Sequence, residues 1–126
     1  MKKVITTTNA PAPIGPYNQA ILTGNTLYIS GQIPMDPATG KLIEGDIKKE
    51  TAQSMENLKA ILTEAGMTFE NVVKSSIFVK DMHQFAAINE VYGAYFSSET
   101  APARETVEVS NLPKFVNVEI SMIAIK

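Results

Sequence analysis

No cysteine occurs among the 126 residues, and that absence removes disulfides, thiolate nucleophiles and cysteine-based metal sites together. Histidine is nearly missing too. His83 is the only one, so neither a Ser-His-acid triad nor a zinc cluster can be assembled from this chain. No hydrophobic run approaches the length of a membrane span. The opening Met1-Lys2-Lys3-Val4-Ile5-Thr6-Thr7-Thr8 carries the charge of a signal peptide without its apolar stretch, so the expected location is cytoplasmic. Charge is sparse: 19% of residues are charged, the net charge is -2 and the pI is near 5.4. The lysines are scattered singly or in pairs, without the basic stripe expected of a nucleic-acid binder. Gly40-Lys41 is not embedded in a phosphate-binding loop and no GxGxxG occurs, so no nucleotide cofactor is expected. Any reaction must run on one guanidinium, backbone groups, hydroxyls and one or two carboxylates.

At 126 residues and 44% hydrophobic, the chain reads as a single domain over 1–126. The segment from Asn9 to Pro16 is too rich in Pro and Gly for helix or central strand and should cross the surface extended, delivering Tyr17. Gln19 to Thr23 and Thr26 to Ser30, joined by Gly24-Asn25, read as a hairpin. From a cap at Asp46, the positions Ile47, Met55, Leu58, Ile61, Leu62 and Ala65 recur at helical spacing up to Gly66. Val72 to Lys80 is a β-branched strand. Phe85, Ile88, Tyr92, Tyr95 and Phe96 form a second helical stripe, capped by Asp81 and ending near Ser97. Two strands close the chain, Arg104 to Val109 and Phe115 to Ile125. The order ββ, α, β, α, ββ predicts an α+β fold, a mostly antiparallel sheet with two helices on one face. In the last strand Val116, Val118, Ile120, Met122 and Ala124 make an unbroken apolar row fit to lie under helices. The opposite row, Phe115, Asn117, Glu119, Ser121, Ile123 and Ile125, is apolar at its ends and polar in its middle, as expected of an oligomer interface enclosing a site.

The same alternation applied to the preceding strand sends Val107 and Val109 toward the helices and Arg104, Thr106 and Glu108 to the other face, shared with Glu119. A direct hairpin of these two strands would set Arg104 opposite Glu119. Arg104 is the only arginine against ten lysines. Its planar fork suits two parallel hydrogen bonds to a carboxylate, and it suits equally a salt bridge to Glu119 or to a partner subunit. Glu119 sits among apolar neighbours, where an unpaired carboxylate is expensive, and reads either as a partner of Arg104 or as a group that polarises water. Asn89 lies on the flank of the second helical stripe, four residues after Phe85 and three before Tyr92. As isolated residues, Asn89 reads as a helix-edge amide and Tyr17 as a packing anchor.

These residues lie in recognisable runs. Ala12-Pro13-Ile14-Gly15-Pro16-Tyr17, Ile29-Ser30-Gly31-Gln32-Ile33-Pro34, Ile88-Asn89-Glu90-Val91-Tyr92, Pro102 to Val109 with Leu112-Pro113 beyond it, and Val118-Glu119-Ile120 together resemble the RidA (YjgF) family along nearly the whole chain. The resemblance implies a chorismate-mutase-like fold assembled as a homotrimer, with pockets at the subunit interfaces. It implies hydrolysis of 2-iminobutanoate and 2-iminopropanoate, released by pyridoxal-phosphate dehydratases, to 2-oxo acids and ammonia, with no cofactor or metal. By position, Arg104 would clamp the substrate carboxylate and Glu119 would orient or activate water. Tyr17, Ser30, Gly31 and Asn89 would shape the pocket, with backbone near Thr106 assisting. The family commonly has cysteine where this chain has Thr106. Imine hydrolysis requires no covalent intermediate, so that position is read as contributing backbone and packing. The expected partners are small 2-imino and 2-oxo acids and further copies of the chain, not nucleic acid or membrane. Two other functions are open to such a chain: a non-catalytic trimer that binds 2-oxo acids through the same arginine, and an endoribonuclease, which the acidic pI and the lack of a histidine pair disfavour.

Overall fold

The computed structural model describes residues 1–126. Six strands form one sheet: β1 (Lys2–Ile5), β2 (Ala20–Thr23), β3 (Thr26–Gln32), β4 (Val72–Val79), β5 (Ala103–Glu108) and β6 (Val118–Ile125), in the order β1-β2-β3-β6-β4-β5. Two helices, α1 (Ile47–Glu64) and α2 (Phe85–Gly93), cover one face. The α+β architecture expected from the element order is the one observed.

Local chemistry explains α1. The Asp46 side chain accepts the backbone N–H groups of Lys48 and Lys49, and Glu50 returns the contact by accepting the Asp46 N–H. These bonds satisfy donors that a helix start leaves orphaned. At the other end Gly66 adopts φ 73°, and Gly66 and Met67 donate to the carbonyls of Thr63 and Leu62 at 2.9 Å each, a Schellman cap that a residue with Cβ resists. Met55, Leu58, Ile61 and Leu62 are at most 1% exposed, each such burial being worth about 1.5–3 kcal/mol. They lie over β6, whose Val118, Ile120, Met122 and Ala124 are equally enclosed. The alternate residues Glu119, Ser121 and Ile123 are half-buried on the far face, so the two-faced reading of this strand is observed.

Four differences from the sequence reading bear on the site. First, Lys2–Ile5 is a strand, paired antiparallel with β2. Second, the strand from Phe115 starts only at Val118, because Lys114 and Phe115 take φ 55° and 58° in a left-handed turn. Phe115 therefore stands 81% exposed outside the sheet. Third, β5 and β6 make no hairpin: β4 lies between them, antiparallel to β6 and parallel to β5.

Fourth, the predicted faces of β5 are inverted. Across the sheet Ile5, Ala20, Ile29, Met122, Ser75 and Arg104 form one paired row, and its first five members are buried under the helices. Paired residues share a face, so Arg104 and Thr106 point toward the helices, while Val107 and Glu119 flank Phe78 on the opposite face. The parity misled because the second face is itself partly apolar at Phe78, so Val107 has a place there. Arg104 and Glu119 do not share a face.

Gln19 secures the irregular segment that precedes β2. It is 2% exposed and accepts the Thr7 N–H while donating to the carbonyls of Thr7, Ala10 and Pro11. A Pro-rich stretch cannot join a ladder, so one buried amide supplies its backbone with partners.

Candidate functional site

The first cluster is built at the edge of the sheet. Arg104 Nη1 donates to Oδ1 of Asn89 at 2.7 Å. Its guanidinium carbon lies 5.0 Å from the centroid of the Tyr92 ring and 5.6 Å from that of Phe85. Phe85, Asn89 and Tyr92 fall at helical spacing on one side of α2, so a single helix face presents an amide between two rings. The ion pairs of the chain are Lys48–Glu90 and Lys74–Glu105, and the His83 ring meets the Asp81 carboxylate. Arg104 has no carboxylate within reach, and most of its donors are free for an external anion. Thr106 stands two residues along, facing the same way, and its Oγ1 is enclosed without a hydrogen-bond partner. As β5 pairs only with β4, alternate backbone groups around Thr106 face an open edge.

The second cluster lies on the other face. Between Ile29 and Gln32 the β3–β6 register slips, setting Ser30 and Gly31 in a bulge. A Cβ on Gly31 would stand 2.7 Å from Cδ and 2.9 Å from Cγ and Oε2 of Glu119. Only glycine leaves that carboxyl group its place. Burial pushes the pKa of Glu119 up, with no ion pair or hydrogen bond to offset it. Ser30 Oγ donates to the Asn18 carbonyl at 2.6 Å, bracing the chain next to Tyr17. Tyr17 and Gly31 line one cavity together with Ile14, Ile33 and Met35.

The structure thus gathers Arg104, Asn89 and Thr106 in one place, and Tyr17, Ser30, Gly31 and Glu119 in another. It does not join the two sets. Arg104 and Glu119 are two strands apart and offset by the step from Ser75 to Phe78, which amounts to about 14 Å between Cα atoms, with side chains on opposite faces. Sequence reasoning missed Phe85 and Tyr92 as the bed of the arginine, and Ser75 beneath them. Their spacing around Asn89 was the available signal, masked because both aromatics also fit an apolar stripe.

The family model described as endoribonuclease L-PSP matches residues 7–126. The chain belongs to the RidA/YjgF family. A RutC family protein of Pyrococcus horikoshii is 57% identical over 126 residues, covering 100% of this chain and 99% of that protein. The 2-iminobutanoate/2-iminopropanoate deaminase of Mus musculus is 45% identical, covering 100% and 93%. Among solved structures, a protein of unknown function of the conserved Rid family from Yersinia pestis superposes with TM-score 0.97 at 48% identity, covering 100% of both chains. In this RidA-family chain both clusters fall within the matched span. No helix is long and apolar enough to cross a membrane.

Proposed function

We propose that this chain hydrolyses small 2-imino acids such as 2-iminobutanoate and 2-iminopropanoate to 2-oxo acids and ammonia, at a pocket formed between copies of a cytoplasmic homotrimer. The observation that carries the reading is the uncompensated guanidinium of Arg104, held by an amide and two rings and aimed at no carboxylate of its own chain. The deaminase name of the mouse relative supports the choice of substrate. A second copy is needed because Arg104 and Glu119 cannot both reach one small molecule within a protomer. The face that holds Glu119 suits such a contact: Val4, Tyr28, Val107 and Ile125 are 40 to 50% exposed beside half-buried Ile21 and Ile123.

The chemistry asks for little. Arg104 binds the carboxylate, and Glu119 of a neighbouring copy orients a water and takes up its proton as oxygen bonds to the iminium carbon. Glu119 then returns that proton to the amino nitrogen of the aminoalcohol, and the C–N bond breaks as the hydroxyl gives its proton to water, releasing ammonia and leaving the 2-oxo acid. The endoribonuclease name of the family model finds less support: His83 is exposed and bonded to Asp81, and the net charge is -2. The deciding experiment supplies imine from a threonine dehydratase and times 2-oxobutanoate with and without this protein. Saturable 2-oxobutanoate binding without acceleration would make the chain a binder rather than an enzyme.

Two substitutions probe the details. Gly31→Ala forces the Glu119 carboxyl aside, because its Cβ would overlap Cγ and Cδ. A misplacement on the order of 1 Å should lower kcat/KM at least tenfold while the fold persists, and unchanged turnover would show that the position of Glu119 does not matter. Thr106→Val removes an enclosed hydroxyl that has no partner. It should keep turnover and raise stability by roughly 1 kcal/mol at matched protein concentration. A hundredfold loss of turnover would instead give that hydroxyl a role on the substrate.

A further inference from the structure

Arg104 is held without a counterion, and something else must fix its direction. Asn89 offers one acceptor. The nearer of the two rings belongs to Tyr92, with the guanidinium carbon 5.0 Å from its centroid. That ring has little freedom to swing. Tyr92 is 5% exposed, and its hydroxyl donates to Ser75 Oγ at 2.8 Å. Ser75 is fully buried and is the residue that pairs with Arg104 across the β4–β5 ladder. The contacts close a ring of their own: Arg104 backbone to Ser75, Ser75 hydroxyl to Tyr92, Tyr92 face to the Arg104 guanidinium.

We propose that Tyr92, locked by Ser75, is a positioning residue that aims the Arg104 guanidinium at the ligand carboxylate. A carboxylate in its place would hold the arginine as well, but would occupy its N–H donors and neutralise its charge. An aromatic face attracts the cation and takes no N–H away. The proposal rests on Arg104 being the carboxylate clamp, and its test separates the two.

The chain has one arginine, so its Nε–H gives a single identifiable resonance in protein labelled at arginine. Ring-current shifts of that side chain report the faces of Tyr92 and Phe85, the nearer ring more strongly, whether or not the protein turns over an imine. Tyr92→Phe keeps the ring but loses its bond to Ser75, and should keep much of the shift, measurably reduced, and weaken 2-oxobutanoate about threefold. Tyr92→Met fills the space without a π face. It should remove the Tyr92 share of the shift and leave that of Phe85, leave the side chain averaging among rotamers, and weaken 2-oxobutanoate about tenfold, with kcat falling more than KM rises. Should Tyr92→Met fail to fold, Ser75→Ala breaks the same hydrogen bond as Tyr92→Phe at little change in core volume, and should match that variant, with a measurably reduced shift and 2-oxobutanoate binding weakened about threefold. Ile88→Val, on the same helix and equally buried, is the packing control and should change neither. An Arg104 resonance unmoved in Tyr92→Met or Ser75→Ala, or a Tyr92→Phe variant as damaged as Tyr92→Met, would overturn the positioning role. Failure of the wild-type protein to accelerate imine hydrolysis would overturn the enzymatic reading alone, since the resonance and the affinity still decide the part played by Tyr92.

Discussion

Replacing Arg104 by lysine is expected to lower kcat/KM on enzymatically generated 2-iminobutanoate by about two orders of magnitude while leaving fold and assembly intact. Lysine keeps the charge but loses the fork that meets both carboxylate oxygens, and its compact ammonium has no planar surface to lie against Tyr92 and Phe85. Hydrogen bonds to charged groups are worth roughly 1.5–3 kcal/mol each, and about 1.4 kcal/mol is tenfold in rate. Losing one such bond together with orientation reaches the expected size. The fold should persist, since within the chain the lysine gives up one hydrogen bond to Asn89 and the contact with two rings at the sheet edge, but no ion pair. Turnover close to wild type, with melting temperature and mass checked in parallel, would remove the clamp and the mechanism with it.

Glu119→Gln should lower turnover by a similar factor, about a hundredfold, the lower end of what a positioned base contributes. Its effect on stability has the opposite sign. A carboxyl whose pKa is raised by burial binds its proton more tightly folded than unfolded. Ionising it therefore destabilises the fold as pH climbs past the ordinary 4.5. At neutral pH the glutamine variant, free of that penalty, should melt no lower than wild type. Turnover of the wild type should rise with pH along an acid limb centred above 4.5, and the limb should vanish in Glu119→Gln. A variant that keeps both turnover and limb would assign the base elsewhere.

The two variants together test the composite pocket. In the proposed cyclic assembly each pocket would take its arginine cluster from one copy and its glutamate cluster from the next, so mixing inactive Arg104→Lys and Glu119→Gln chains in equal amounts would rebuild about a quarter of the pockets. Co-refolded mixtures should recover about that share of wild-type activity. No recovery from well-mixed oligomers would place both groups in one protomer, against the geometry of the sheet.

Much of this protein was legible locally. The caps at Asp46 and Gly66, the helical spacing through Leu62, the strict alternation of the last strand and the singular Arg104 are properties of neighbouring residues, and neighbouring residues decide them: a helix bonds four positions along, and a strand alternates by its own pleat. The runs around Tyr17, Gly31, Asn89, Arg104 and Glu119 also pointed to the family. What the sequence could not determine was which strands lie side by side. The placement of β4 between β5 and β6, and the parallel register that pairs Ser75 with Arg104, arise from contacts between distant residues. An edge strand with partly apolar surroundings on both faces carries no parity signal strong enough to reveal them. That one non-local fact turns Arg104 toward Tyr92 and away from Glu119, and so divides between two clusters the residues that the chain's own motifs had suggested were one site.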